Sequence, residues 1–275
     1  MGSQDDIDLF IEHVSSLKDP YKFLSKFFIH SIICILLIVI FWWATSISFI
    51  AALPTILIIS SISNIPFINI AENYFKIREK YIKNYPKNTW QILWNRYSYT
   101  SPFGCAALYA PLLLINYEFL PFRIISTPEN LITNPLFPIF IALPLGIFII
   151  LLGMLLTKHA RNHDSDIDIF LNIIDPDKYN IMTDGIYQYI RHPTFLGRLT
   201  LSIGFGVIAN NVLAILVAVF HFLPYYACMI FEDKNFLKRY RKELYNYYNT
   251  TPALFPRSRN LKNFFKIIFS KREVD

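Results

Sequence analysis

Charge is what this chain has least of: Asp, Glu, Lys and Arg make up 17% of its 275 residues, against 54% hydrophobic ones. That balance argues against one or two ordinary soluble domains and fits a membrane-embedded protein. Glycine is sparse, with 8 residues, and the three cysteines Cys34, Cys105 and Cys228 each sit in an apolar run with no second Cys or His at metal-ligand spacing. They read as core volume, and neither a disulfide framework nor an oxidising compartment follows from them. The acidic start (Asp5, Asp6, Asp8, Glu12) lacks the basic-then-apolar order of a cleaved signal peptide, and Asp6 stands where a myristoylation signal wants Ser or Thr. There is no internal repeat and no low-complexity linker.

Long uncharged runs are what the chain does have. A bilayer core about 30 Å thick needs roughly 20 apolar residues in a helix, and six such runs emerge. Two lie within Phe27 to Ile70, split near Thr45-Ser46 or Ser48. A third runs near Phe103 to Leu120, a fourth from Leu136 to Thr157, and the last two share Pro193 to Phe231, divided at Asn210-Asn211. Pro54, Pro111, Pro144 and Pro224 fall inside these runs and predict kinks rather than ends. With both termini inside, every loop obeys the positive-inside rule: Lys and Arg gather in the inner segments, including eleven after Phe231, and the outer turns hold only Arg123. The formal charge of +6 therefore reads as topology, with no nucleic-acid partner. The expected fold is all-α: a polytopic membrane bundle of about six transmembrane helices with a C-terminal helical hairpin. In the tail, Phe236, Leu237, Tyr240, Leu244, Tyr247 and Tyr248 recur at helical spacing among Lys and Arg, and Leu261 to Phe269 repeats the theme. These predict cytosolic amphipathic helices lying on membrane lipid.

The chemistry concentrates at the threshold of the hairpin, "GIYQYIRHPTFLG". Proline disfavours helix before it and suits a first helical turn, so Arg191 and His192 stand beside free N–H groups at a helix N-terminus that favours an anion. The hairpin out and back returns Glu232-Asp233 to the same surface. A cationic edge opposite an anionic edge suits a zwitterion that carries a carboxylate and an ammonium group. Separately, Arg191 and His192 also suit headgroup anchoring, and Glu232-Asp233 suit pairing with Lys234, Lys238 or Arg239.

"MTDGIYQYIRHPTFLG" and, one hairpin later, "FEDKNFLKRYRKELYNYYNTTPALFP" resemble the isoprenylcysteine carboxyl methyltransferase family and its phospholipid methyltransferase relatives. The resemblance covers roughly Asn172 to Pro256. It rests on Gly-x-Tyr, Arg-His-Pro, the glycine four residues after that proline, the acidic pair and a terminal Pro-x-x-x-Pro, in order. It implies an integral-membrane enzyme using S-adenosylmethionine on a lipophilic substrate, with a prenylcysteine carboxylate as one such acceptor. Cofactor contacts carry over onto Asn172, Tyr179, Asn180, Ile181, Met182, Tyr187, His192, Pro193, Thr194, Phe195 and Glu232. Arg191 and His192 become catalytic candidates, and Arg198, a charge one turn inside an apolar run, joins them as a candidate for a substrate carboxylate. Its bland alternative is snorkelling to the interface.

This chain departs from the family pattern at four places. Phe195 replaces the usual tyrosine, Asp233 the usual glutamate, Tyr179-Asn180 a His-Thr pair, and Cys228 the arginine that the protein methyltransferases carry four residues before the first acid. Methyl transfer from a sulfonium is an in-line displacement that needs alignment and exclusion of water. A carboxylate needs no base, whereas an amine must first lose a proton, and without a third dedicated base the sequence favours an acid or thiol. His159 and His163, with Asp164, Asp166 and Asp168 beyond, lack a third ligand of known pattern, and no metal is expected. The expected organisation is a cytosolic segment over 1–26, four transmembrane helices over 27–157, the cofactor-binding region over 158–256 and a basic tail over 257–275. Termini and active site are expected to be cytosolic, in a bacterial inner membrane or the endoplasmic reticulum. An NADPH-dependent sterol-type reductase and a non-catalytic membrane relative are the competing readings.

Overall fold

A computed structural model of the chain describes residues 14, 19–65, 79, 89–115, 134–161, 182–239 and 241–270. Among them the fold is all-helical. Helix α1 is Pro20–Ile47, α2 Ala52–Ile65, α3 Thr89–Tyr109, α4 Ile139–Arg161, α5 Pro193–Ala209, α6 Val212–Arg239, α7 Arg241–Thr250 and α8 Leu261–Phe269. Three of these, α1, α4 and α6, are long and apolar enough to cross a membrane, and Ala52–Ile65, Thr100–Leu114 and Pro193–Ala209 are shorter apolar helices. Each of the six sequence runs is helical in its described part, but only three of these helices have full spanning length.

Local signals set the helix ends. Asp19 starts α1 by accepting from the Tyr21 and Lys22 amides at 3.0 and 3.3 Å, with Pro20 in the first turn. Pro54 sits in the first turn of α2, where a missing N–H is harmless. Pro144 and Pro224 lie inside continuous helices. Pro111 departs from expectation: the chain tightens there into a 3-10 helix, Ala110–Leu114, so this proline does end α3 as an α-helix.

The turn between α5 and α6 falls at Asn210-Asn211, where the sequence placed it. Asn210 adopts the left-handed conformation (φ 63°), and its amide reaches the Gly206 and Val207 carbonyls at 3.1 Å. Both asparagine side chains also bolt the turn to its neighbours. The Asn210 side chain exchanges hydrogen bonds with the Phe137 backbone, at 3.0 and 2.7 Å. Asn211 accepts from the Ala214 amide at 2.8 Å, capping α6, and donates to the Leu114 carbonyl at 2.6 Å. One end of the bundle is fixed by these contacts, and the hairpin brings both of its open ends back to the other.

The closest packing in the fold is between α4 and α5. Gly153 faces Gly197 and Gly146 faces Gly204 in antiparallel register; a Cβ on Gly153 would lie 2.8 Å from the Leu201 amide and 2.9 Å from the Gly197 carbonyl. Small residues let backbones approach this closely where no hydrophobic drive exists between lipid and helix. The opposite face of α4 presents Phe140, Phe148, Leu151 and Met154 outward. Two buried clusters result: one joins α1, α2 and α3 to the hairpin turn, and the other gathers Leu156, Ile186, Ile190, Leu196, Tyr225, Met229, Phe264 and Ile268 around the hairpin's open end.

Overpacking this seam should be costly. Gly153→Ala is expected to lower stability by about 1–3 kcal/mol, while Leu151→Ala on the outward face stays within about 0.5 kcal/mol. Thermal unfolding in detergent checks both, and equal midpoints would contradict the seam.

Candidate functional site

The open end of the hairpin holds the expected residues. Helix α5 begins at Pro193 as the sequence requires, and His192 precedes it with φ −124° and ψ 63°. The His192 side chain does not cap the helix. It turns instead to α6, where Nε2 meets Asp233 Oδ1 at 2.7 Å and Nδ1 lies 3.7 Å from Glu232 Oε2. Arg191 grips the other oxygen of the same carboxylate, Nη2 to Asp233 Oδ2 at 2.7 Å, with the two side chains 13% and 18% exposed. That is a charge-assisted network largely out of water, where unpaired members would be costly.

A strap from the tail completes it. Arg191 Nη1 donates to the Tyr248 carbonyl at 3.0 Å and to the Thr251 carbonyl at 2.5 Å, and its guanidinium lies 4.5 Å from the Tyr248 ring centroid. The backbone follows: the Arg191 amide donates to Pro252 and the His192 amide to Ala253, both at 3.0 Å. Tyr247 Oη donates to the Tyr187 carbonyl at 2.8 Å, tying α7 to the 3-10 turn Gly185–Gln188. Gly185 opens that turn with φ 57°, a conformation costly for other residues. Burial, reinforced by Asp233 and Glu232, pushes the Tyr248 phenol well above its usual range; burial does the same for Tyr247. Both phenols are neutral donors at any physiological pH.

The tail therefore departs from the sequence expectation. Leu244 is buried and Tyr247 and Tyr248 turn inward over Arg191, so this face of α7 covers the site instead of lying on lipid. Helix α8 also buries one face: Phe264 and Ile268 join the cluster beneath the site, and His159 Nε2 donates to the Ile268 carbonyl at 2.9 Å. His159 is thus engaged as a helix clasp; His163, Asp164, Asp166 and Asp168 lie outside the described residues. Neither Lys234 nor Lys238 pairs with the acids in an ion pair among the described residues; the side chain of Arg239 lies outside them.

Of the residues singled out from sequence, Tyr187, Arg191, His192, Pro193, Thr194, Phe195 and Glu232 converge here, with Met182 packed against the same buried cluster. Asn172, Tyr179, Asn180 and Ile181 lie outside the described residues. Arg198 stands apart in a deeper layer, its guanidinium 5.1 Å from the Tyr225 ring centroid. Asp233, Tyr247, Tyr248 and Thr251 were missed as site residues. The acidic pair and the Pro-x-x-x-Pro were visible signals, but only the tertiary fold shows what they hold.

The facing charges do not form the symmetric cradle that the sequence suggested. Asp233 is consumed by Arg191 and His192, whereas Glu232 remains 38% exposed and makes only the longer 3.7 Å contact with His192. Arg191 Nε is buried with no hydrogen-bond partner among the described residues. One exposed carboxylate, one spare guanidinium donor and a helix N-terminus without a side-chain cap fit a ligand with an ammonium and a carboxylate.

A family model for phospholipid methyltransferases matches residues 141–243, the stretch from α4 through α6 that carries this network. Residues 141–243 are thus similar to a phospholipid methyltransferase domain. Proteins of this family are membrane methyltransferases that use S-adenosylmethionine. No curated protein and no solved structure matches the chain. The domain begins inside α4, so α1 to α3 lie outside the match, and α7 and the strap lie almost wholly beyond it.

Breaking the network should detach the strap. Asp233→Asn is expected to destabilise the protein by about 3 kcal/mol, the low end for breaking a buried pair, and Arg191→Lys to cost a similar amount because an ammonium lacks the planar fork. Limited proteolysis between α6 and the tail, alongside thermal unfolding, checks this. Wild-type resistance in both variants would contradict the strap.

Proposed function

We propose that this phospholipid methyltransferase-like region transfers the methyl of S-adenosylmethionine to the head of a lipid acceptor drawn from the bilayer, with the acceptor's nitrogen as nucleophile. When bound, S-adenosylmethionine supplies an electrophilic methyl on a sulfonium. Glu232 would face the ligand's ammonium. The α5 N-terminus at Pro193, Thr194 and Phe195, with Arg191 Nε, would take its carboxylate. Tyr187, Met182 and, in the part not described, Asn172, Tyr179, Asn180 and Ile181 would complete the cofactor contacts. The six apolar helices would form the multi-pass bundle, with the site on the cytosolic side where the basic segments gather.

The observation that carries this reading is the Asp233–His192 contact at 2.7 Å. With Asp233 accepting from Nε2–H, the neutral ring keeps its lone pair on Nδ1. An imidazole oriented by a carboxylate is a general base, the component that the sequence alone did not supply. It allows an ammonium acceptor to lose its proton before attack, and so removes the sequence-level preference for an acid or thiol. Arg198 then suits the acceptor's own anionic group. The prenylcysteine carboxylate is the second reading, and Cys228 in place of the upstream arginine weighs against it.

Labelled methyl from S-adenosylmethionine should appear in phosphatidylethanolamine held in nanodiscs. Transfer should fall about tenfold per pH unit as the medium is made more acid, because the acceptor's nitrogen must be unprotonated to attack. N-acetyl-S-farnesylcysteine accepting methyl at a pH-independent rate, with the amine lipid inert, would overturn the amine assignment. Glu232→Gln should weaken S-adenosylhomocysteine binding about 100-fold, within the range for losing one partner of a buried charge contact. Unchanged affinity in calorimetry, or a response to NADPH, would remove the cofactor assignment.

A further inference from the structure

Below the ion network lies a second polar layer that the methyl-transfer machinery does not use. Tyr225 is its centre. The Arg198 guanidinium lies 5.1 Å from the Tyr225 ring centroid on one side, and the His221 ring meets it edge-on at 5.1 Å on another. Its hydroxyl faces Ser63 Oγ of α2 at 3.4 Å, a long and weak contact. Asn64 Nδ2 donates to the same Ser63 Oγ at 3.1 Å, and a Cβ on Gly104 of α3 would come within 3.0 Å of Tyr225 Oη. Four helices therefore converge on one tyrosine.

This layer is dry and incompletely bonded. His221 is 2% exposed, and its Nδ1 is buried with no hydrogen-bond partner among the described residues. Polar groups in an apolar layer without partners are uncommon and mark ligand paths more often than packing. The Arg198 guanidinium and the His221 ring lie on the same tyrosine, so a cation stands beside the unpartnered imidazole nitrogen. A spare imidazole nitrogen beside a guanidinium fits a singly charged oxyanion. Depth adds a second constraint. Arg198 lies six residues beyond His192 on α5, about 9 Å along the axis, and Tyr225 lies seven before Glu232 on α6, about 10 Å. These are backbone separations, so the long Arg198 side chain and the ligand's own position must close about half of them for an amine lipid, whose phosphate and nitrogen are two carbons apart, to reach both layers.

Resting on the methyl-transfer reading above, we propose that His221, Tyr225 and the Ser63–Asn64 edge of α2 form, with Arg198, the layer that grips the phosphate of the acceptor lipid. Ser63 and Asn64 hold Tyr225 from α2, outside the family match, so the N-terminal helices take part in choosing the acceptor. His221 supplies a neutral donor in its Nδ1–H tautomer and Arg198 the charge. Tyr225 is a positioning residue for both.

The test uses the full chain in nanodiscs, with His221→Phe, His221→Gln, Tyr225→Phe and Ser63→Ala. Methyl transfer gives the acceptor KM, calorimetry gives the S-adenosylhomocysteine Kd, and the unfolding midpoint reports lipid binding without any reaction. The KM for phosphatidylethanolamine is expected to rise at least about tenfold in His221→Phe, the loss of one hydrogen bond to a charged group, with the S-adenosylhomocysteine Kd unchanged and partial recovery in His221→Gln. Phosphatidylethanolamine should raise the wild-type midpoint over diacylglycerol, and His221→Phe should lose that shift. Loss of that lipid-dependent shift in His221→Phe without any wild-type methyl transfer supports the anion layer and sinks the methyl-transfer reading alone. Transfer with unaltered KM in all four variants overturns the layer and leaves that reading standing. An equal midpoint shift from inorganic phosphate or from N-acetyl-S-farnesylcysteine overturns the phospholipid assignment.

Discussion

A guanidinium placed where apolar helices end must be matched within a few ångströms, because neither lipid nor a dry pocket will solvate it. Arg191 meets that requirement by spending its donors on the Asp233 carboxylate and on the carbonyls of Tyr248 and Thr251. The rest of the open end follows from this demand. Asp233 must lie on the face of α6 that looks at α5, α7 must fold back far enough to deliver two carbonyls, and the strap must run beside His192. A lysine would satisfy the charge but not the geometry, since only a planar fork meets a carboxylate edge and the carbonyls at once.

Successive residues on a helix point about 100° apart, and this separates the two acids. With Asp233 bonded to Arg191 and His192, Glu232 keeps only a longer contact with the same imidazole, 3.7 Å to Nδ1, and its side chain stays partly exposed. A motif that reads in sequence as one acidic edge is therefore two devices: a clamp that also orients an imidazole, and a carboxylate left partly exposed. The substitution of aspartate for the usual glutamate at the clamp shortens the reach, in keeping with the direct 2.7 Å contacts it makes.

Much of this was legible in the chain itself. The described parts of the apolar runs are helices, three of them of spanning length, because hydrophobic length is a local property, and Asn210-Asn211 marked the turn because asparagine tolerates the left-handed conformation. Pro193 fixed the start of α5. The inward turn of α7 was not legible: tyrosines at helical spacing suit lipid interface and site cover equally, and what decides is the carbonyl demand of an arginine about sixty residues earlier. The carboxylate that orients His192 was not legible for the same reason, since His192 and Asp233 meet only through the hairpin. Pro111 was misjudged because at that point the chain has a 3-10 alternative to a kink.

The two buried clusters sort the labour. The one beneath the ion network is built from α4, α5, α6, the turn before α5 and the tail, which together carry the charged network. The other joins α1 to α3 to the far turn of the hairpin. Tyr225 belongs to the first cluster, yet its hydroxyl reaches Ser63 of α2, so it is a seam between them. Packing seams of this kind tolerate change on one side while the other is held. Substitutions in α2 or α3 can then reshape the deep layer without disturbing the charge network, which is anchored by its own bonds some two turns away.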